Sequence, residues 1–250
     1  ASLTIINFSD NFLSGTMPNL NLPNLTKLLL STNNLSGNLS SLTLPSLTTL
    51  QLNNNKLTGN IPDFNFPVLE KIDLSSNQFS TVSSPFLSQS VKLTTVLLNN
   101  NLITSSIPNF AQPNLADLEL TSNKFTGSIP NFNLPNLQIL SLFDNQLTGS
   151  IPNFNLPQLT DLFLGINQLS GTIPNFAQCS QLVFISLKNN KLTGSIPDFN
   201  LPNLSSLSLR VNQLSGAVPN FANLPLLDVL YLNDNKFIFG DLAGKNWLCT

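Results

Sequence analysis

Residues 137–157 read LQILSLFDNQLTGSIPNFNLP. Leu140 and Leu142 stand two apart, so in an extended chain they share one face, with Ile139, Ser141 and Phe143 on the other. Asn145 follows three residues later, and after it come Leu147, a Thr-Gly pair, Ile151-Pro152, Phe154 and Pro157. Proline has no N–H and a fixed φ, so two of them five residues apart exclude a helix from this connector. Polyproline, a 3₁₀ turn or a short strand remain.

The same phrase runs through the chain. Asn11, Asn33, Asn55, Asn77, Asn101, Asn123, Asn145, Asn167, Asn190, Asn212 and Asn235 share its phase, with steps of 22, 22, 22, 24, 22, 22, 22, 23, 22 and 23 residues. Of the 17 prolines, 16 occupy two slots: after Ile151 or its equivalent, and just before the next strand. Only Pro85 falls outside. A fixed period near 22 residues is the signature of a solenoid, in which each repeat buries its apolar side against its neighbours. An asparagine both donates and accepts, so stacked copies are expected to form an internal hydrogen-bond ladder. Two places break the pattern. Residues 78–92 replace the Gly-x-Ile-Pro phrase and add two residues, and the tail from Phe237 leaves the frame.

Composition narrows the chemistry. Among 250 residues there is no histidine, 9% are charged and the formal net charge is −2. Without histidine there is no Ser-His-Asp or Cys-His catalysis, and the commonest metal ligand is missing. Ten basic residues, of which Arg210 is the sole arginine, are too few and too scattered to neutralise a phosphate backbone, so no nucleic-acid partner is expected. No stretch of 18 apolar residues occurs, so no membrane insertion is expected. Asn, Ser and Thr do the solvating in place of charge, a habit of chains that work outside the cytosol.

The frame LxxLxLxxNxLxGxIP resembles the leucine-rich repeat family in its plant-type subclass, over residues 3 to about 238. The resemblance implies an α/β-class repeat solenoid: right-handed, with a curved parallel β-sheet on the concave side and little or no α-helix on the convex side. It implies one domain over residues 1–250, of about ten or eleven coils, with residues 237–250 as an irregular C-terminal cap. The chain departs from the subclass in its shorter 22-residue period and in lacking paired-cysteine caps; short repeats of the IPNFNLP kind look like bacterial secreted or surface proteins. Ala1 runs directly into a strand, so a cap or further coils are expected before it. Cys179 aligns with Leu224 and is expected to pack as a small buried hydrophobe. Cys249 lies about three coils away, too far for a disulfide between the two.

The outward residues of each strand form three columns across the concave face. Asp117 and Glu119 share that face with Asp73 and Asp161, but on an open sheet rather than in a cleft, so neither a glycosidase pair nor a calcium site is expected. With no catalytic constellation, no cofactor and no metal site, the expected function is a non-catalytic recognition scaffold, secreted or at the cell surface, holding a protein, peptide or glycan on its concave face. A monomer is expected. The proposed site is Ile139, Phe143, Asp161, Phe163, Gly165, Phe184, Lys188 and Arg210. Gly165 would leave an apolar notch between exposed aromatics, rimmed by charge. The alternatives are a structural spacer within a large surface protein and, more remotely, an ice-binding surface built on the Ser/Thr rows of the convex side.

Overall fold

The computed structural model describes residues 3–39 and 42–242. Eleven three-residue strands, from Ile5–Asn7 to Val229–Tyr231, form one parallel sheet in strict chain order. Each repeat supplies one strand, and the register never slips: Leu118 pairs with Leu140, Leu140 with Leu162 and Leu162 with Ile185. The central residue of each inner strand, from Leu28 to Leu207, is buried, as is the apolar residue two positions on, such as Leu142 or Leu164.

The asparagine ladder closes each coil on its neighbour. Asn145 Nδ2 donates to Leu120 O (3.1 Å) in the preceding coil and to Leu142 O (3.2 Å) in its own. Its Oδ1 accepts from the Phe125 N–H at 3.0 Å. The same three-way pattern holds from Asn33 to Asn235, for example at Asn167. Otherwise orphaned carbonyls at the exit from each strand are thereby satisfied inside the stack.

The prolines have specific work on the far side of the coil. Leu134-Pro135-Asn136-Leu137 is a turn in which the Leu137 N–H donates to Leu134 O (3.1 Å), with proline presetting φ at the second position. Equivalent turns precede the strands at Leu25, Leu47, Leu69, Leu159 and Leu204. Short strands add to the connectors: 14–16, 34–38, 56–61 and 78–82 form a four-stranded parallel sheet, and 170–171, 191–194 and 213–214 a three-stranded one. Among the described residues there is no α-helix; a 3₁₀ turn occupies Phe239–Leu242. The phenylalanines of the connector fill the coil interior, with Phe176 and Phe199 stacked at 6.2 Å and Phe110 against Phe132 at 6.3 Å.

The three longer repeats share one device for taking up extra length. Leu87, Phe176 and Phe221 adopt φ values of 49°, 52° and 55°. At each of them an additional turn is inserted before the usual one, as in Phe176 O to Cys179 N followed by Cys179 O to Leu182 N. Residues 78–92 are therefore an ordinary coil with a second turn and, in addition, a register shift at Ser80 in its outer strand. Cys179 is fully buried, as its alignment predicts, and its thiol lies 3.6 Å from Phe154 O. At the start of the chain Leu3, Ile5, Phe8 and Phe12 remain exposed, Phe12 by 91%. Of the tail predicted as a cap, residues 243–250, with Cys249, lie outside the described residues.

Candidate functional site

The backbone of the long sheet is spent on the ladder between strands, so its open face can act only through side chains. The register lines these up in columns. Asp117, Ile139, Asp161, Phe184, Ser206 and Val229 form one, and Glu119, Ser141, Phe163, Ser186, Ser208 and Tyr231 the next. A third, just past the strand ends, runs Phe143, Gly165, Lys188, Arg210, Asn233; it is joined by bonds such as Ile166 N to Lys188 O (2.8 Å) and Asn189 N to Arg210 O (2.9 Å).

The expected notch at Gly165 is closed. A Cβ at Gly165 would lie 2.9 Å from Phe143 Cε2, 3.0 Å from Lys188 Cγ and 3.1 Å from Lys188 O. Phe143 and Lys188 lean toward each other over the glycine, and the Lys188 ammonium sits 4.9 Å from the centre of the Phe143 ring, a cation–π contact. Absence of a side chain at Gly165 serves close packing of its neighbours rather than ligand entry.

The concavity lies two strands further along. A cleft of about 290 Å³ is lined by Phe163, Phe184, Ser186, Lys188, Ser206, Ser208, Arg210 and Tyr231. Phe184 is 43% exposed and Tyr231 51%. Four of the residues proposed from sequence thus line one cleft: Phe163, Phe184, Lys188 and Arg210. Ile139, Phe143, Asp161 and Gly165 do not. Asp161 is half-buried beside Ile139, its Oδ2 accepting from Thr160 Oγ1 at 2.6 Å. The three serines and Tyr231 escaped the sequence reading, although their column positions were legible in it. A search for runs of aromatics in successive coils passes over a tyrosine three strands beyond Phe163.

The polar groups of this cleft are unspent. Several hydroxyls elsewhere on the face are tied down: Ser31 donates to Asn53 Oδ1 (2.7 Å), Ser75 to Asp73 Oδ1 (2.7 Å), and Thr121 and Ser141 share a bond of 2.6 Å. Among the described residues, the hydroxyls of Ser186, Ser206 and Ser208 and the guanidinium of Arg210 have no protein partner.

The acidic part of the face is different. Asp73 is buried and committed to Ser75. Asp117 has a buried Oδ1 without a partner, and its pKa is pushed up from 3.8 to about 6 by burial, then by Glu119, with Lys71 opposing. Among the described residues no group of three or more acidic or cysteine side chains is placed to hold a metal ion, and no helix is long and apolar enough to cross a membrane.

The profile for leucine rich repeats (2 copies) matches residues 45–88 and 135–178. No curated protein matches the sequence. Among solved structures, the chain is similar to the Arabidopsis receptor kinase HAESA, determined with the peptide hormone IDA and the co-receptor SERK1: 35% identity, TM-score 0.86, covering 94% of this chain and 42% of that one. It is similar to the plant peptide hormone receptor RGFR1 in complex with RGF2, at 33% identity and TM-score 0.81, covering 94% and 44%. A plant ice-binding protein matches at 25% identity and TM-score 0.65, covering 93% and 72%. The chain spans about two fifths of the length of the receptor structures it matches.

Proposed function

Because the chain carries plant-type leucine-rich repeats and is similar to plant receptor ectodomains, we propose that it is a non-catalytic, extracellular recognition scaffold that holds a ligand on its concave sheet, centred on the cleft between Phe184 and Tyr231. The observation that carries this reading is the convergence, in one cleft of the concave face, of two exposed aromatics, three hydroxyls and a guanidinium that have no partner among the described residues. Aromatic anchors beside arginine are the usual anatomy of a binding hot spot. The cleft contains no carboxylate and no acid–base pair, so its chemistry is that of holding, not of turnover. Similar solenoids solved with bound peptide hormones support ligand holding by this architecture.

The test is a pull-down with the wild-type chain followed by titration of the captured partner against Phe184→Ala/Tyr231→Ala. A loss of tenfold or more in affinity is expected. Unchanged affinity would place the site elsewhere.

Resemblance to an ice-binding protein raises a second reading, on the far side of the coil. Hydroxyl rows there run through Ser14, Ser36 and Thr58, and again through Ser128, Ser150 and Thr172. The strands beneath them are broken into two small sheets, with only an isolated Ser106–Thr126 bridge between. A broken row is a poor template for a lattice, and no thermal hysteresis is expected at micromolar protein.

A further inference from the structure

We propose that the cleft binds a uronate-bearing glycan, with Arg210 on the carboxylate, the positive charge of Lys188 nearby, and the serine floor on the sugar hydroxyls. This rests on the reading of the concave sheet as a binding face and names the chemistry of what it binds.

Three features select a sugar. The first is the floor. Ser186, Ser206 and Ser208 each offer an uncommitted hydroxyl able to donate and accept, which suits a ligand dense in hydroxyls. The strands' own N–H and C=O groups are paired with neighbouring strands, so a peptide backbone would find no main-chain partners here. The second is spacing. Equivalent side chains recur across the sheet every strand, about 4.8 Å. A pyranose chain advances by a similar distance per ring, whereas an extended peptide presents same-side residues about 6.8 Å apart. A glycan running across the strands stays in step with the columns; a peptide does not. The third is the walls. Phe184 and Tyr231, 43% and 51% exposed, flank the floor and can cover the apolar C–H faces of sugar rings.

Charge selects the acid. Arg210 is the chain's sole arginine and has no carboxylate partner among the described residues. Lys188 stands one strand before it, held over Phe143. Two cations beside a neutral floor, in a protein of net charge −2, mark a local preference for anions.

Calorimetric titration of the intact chain with tetragalacturonate, with its methyl-esterified form and with a tetraglutamate peptide tests this. Saturable binding of tetragalacturonate is expected, weakened about tenfold or more by esterification and by Arg210→Gln. Tyr231→Ala should weaken the acidic and esterified forms alike. Both residues are exposed, so melting curves should match the wild type. Absence of tetragalacturonate binding overturns the proposal, as does equal binding of the esterified form. Tetraglutamate binding in place of the sugar, lost in Tyr231→Ala, also overturns it but leaves the concave site standing. Sugar binding untouched by either variant but abolished by Thr172→Arg on the far side overturns both.

Discussion

Lys188 holds its ammonium 4.9 Å from the centre of the Phe143 ring, two strands away, and the pair meet over a residue that has no side chain. Gly165 is the space that lets them touch. Its backbone is not in the left-handed region, so the requirement is steric, not conformational.

Gly165→Ala should therefore destabilise the chain by about 1–3 kcal/mol, since one of the atoms crowding the new Cβ is the Lys188 carbonyl, which is fixed in the ladder. Equilibrium urea melts measure it. A neutral result would show that Phe143 and Lys188 simply swing aside.

Asn145→Ala removes three donated bonds and one accepted bond. The buried Phe125 N–H and Leu120 carbonyl then lose a partner, at a cost of about 1–3 kcal/mol. Asn11 is exposed and its side chain bonds only within its own coil, to Phe8 and Ser9, so Asn11→Ala should cost less. Comparing the two variants by urea denaturation separates the ladder from a general effect of asparagine; equal losses would mean that bridging between coils contributes nothing.

The residue before each ladder asparagine is left-handed, with φ between 51° and 57° from Asp10 to Asp234. Most of these positions hold Asn, Asp, Ser or Thr, but two hold Ile166 and Val211, whose branched side chains are strained there. Val211 is 40% exposed, so little burial is lost on replacement. Val211→Asn should raise stability by about 1 kcal/mol and the melting temperature with it. A lower melting temperature would show that valine's contacts outweigh its backbone strain.

Asp117 makes stability depend on pH. Its folded pKa, about 6, is raised above the ordinary value of 3.8, so the folded chain holds this proton more tightly than the unfolded one. The stability so gained is complete below pH 3.8 and is lost as pH rises to about 6. Partial exposure reduces the effect to about 1–2 kcal/mol. Asp117→Asn should flatten the fall seen in urea midpoints across that window. An unchanged slope would assign the pH dependence to another group.

Much of this protein was legible in its sequence because a solenoid repeats one local decision. The Leu140–Leu142 alternation, the asparagine phase and the paired prolines dictate a strand, a ladder and a turn, and a constant step stacks them in register. Columns on the open face follow from that register, so Phe163, Phe184, Lys188 and Arg210 could be named before any coordinates. Only the tertiary structure decided how neighbouring columns lean. It filled the space over Gly165, gathered Ser186, Ser206, Ser208 and Tyr231 into the cleft and left Arg210 unpaired beside them. It also buried one oxygen of Asp117 and placed a left-handed residue in each longer coil. Periodicity reports which way a side chain points; where its tip comes to rest depends on side chains one and two strands away, and those vary from repeat to repeat.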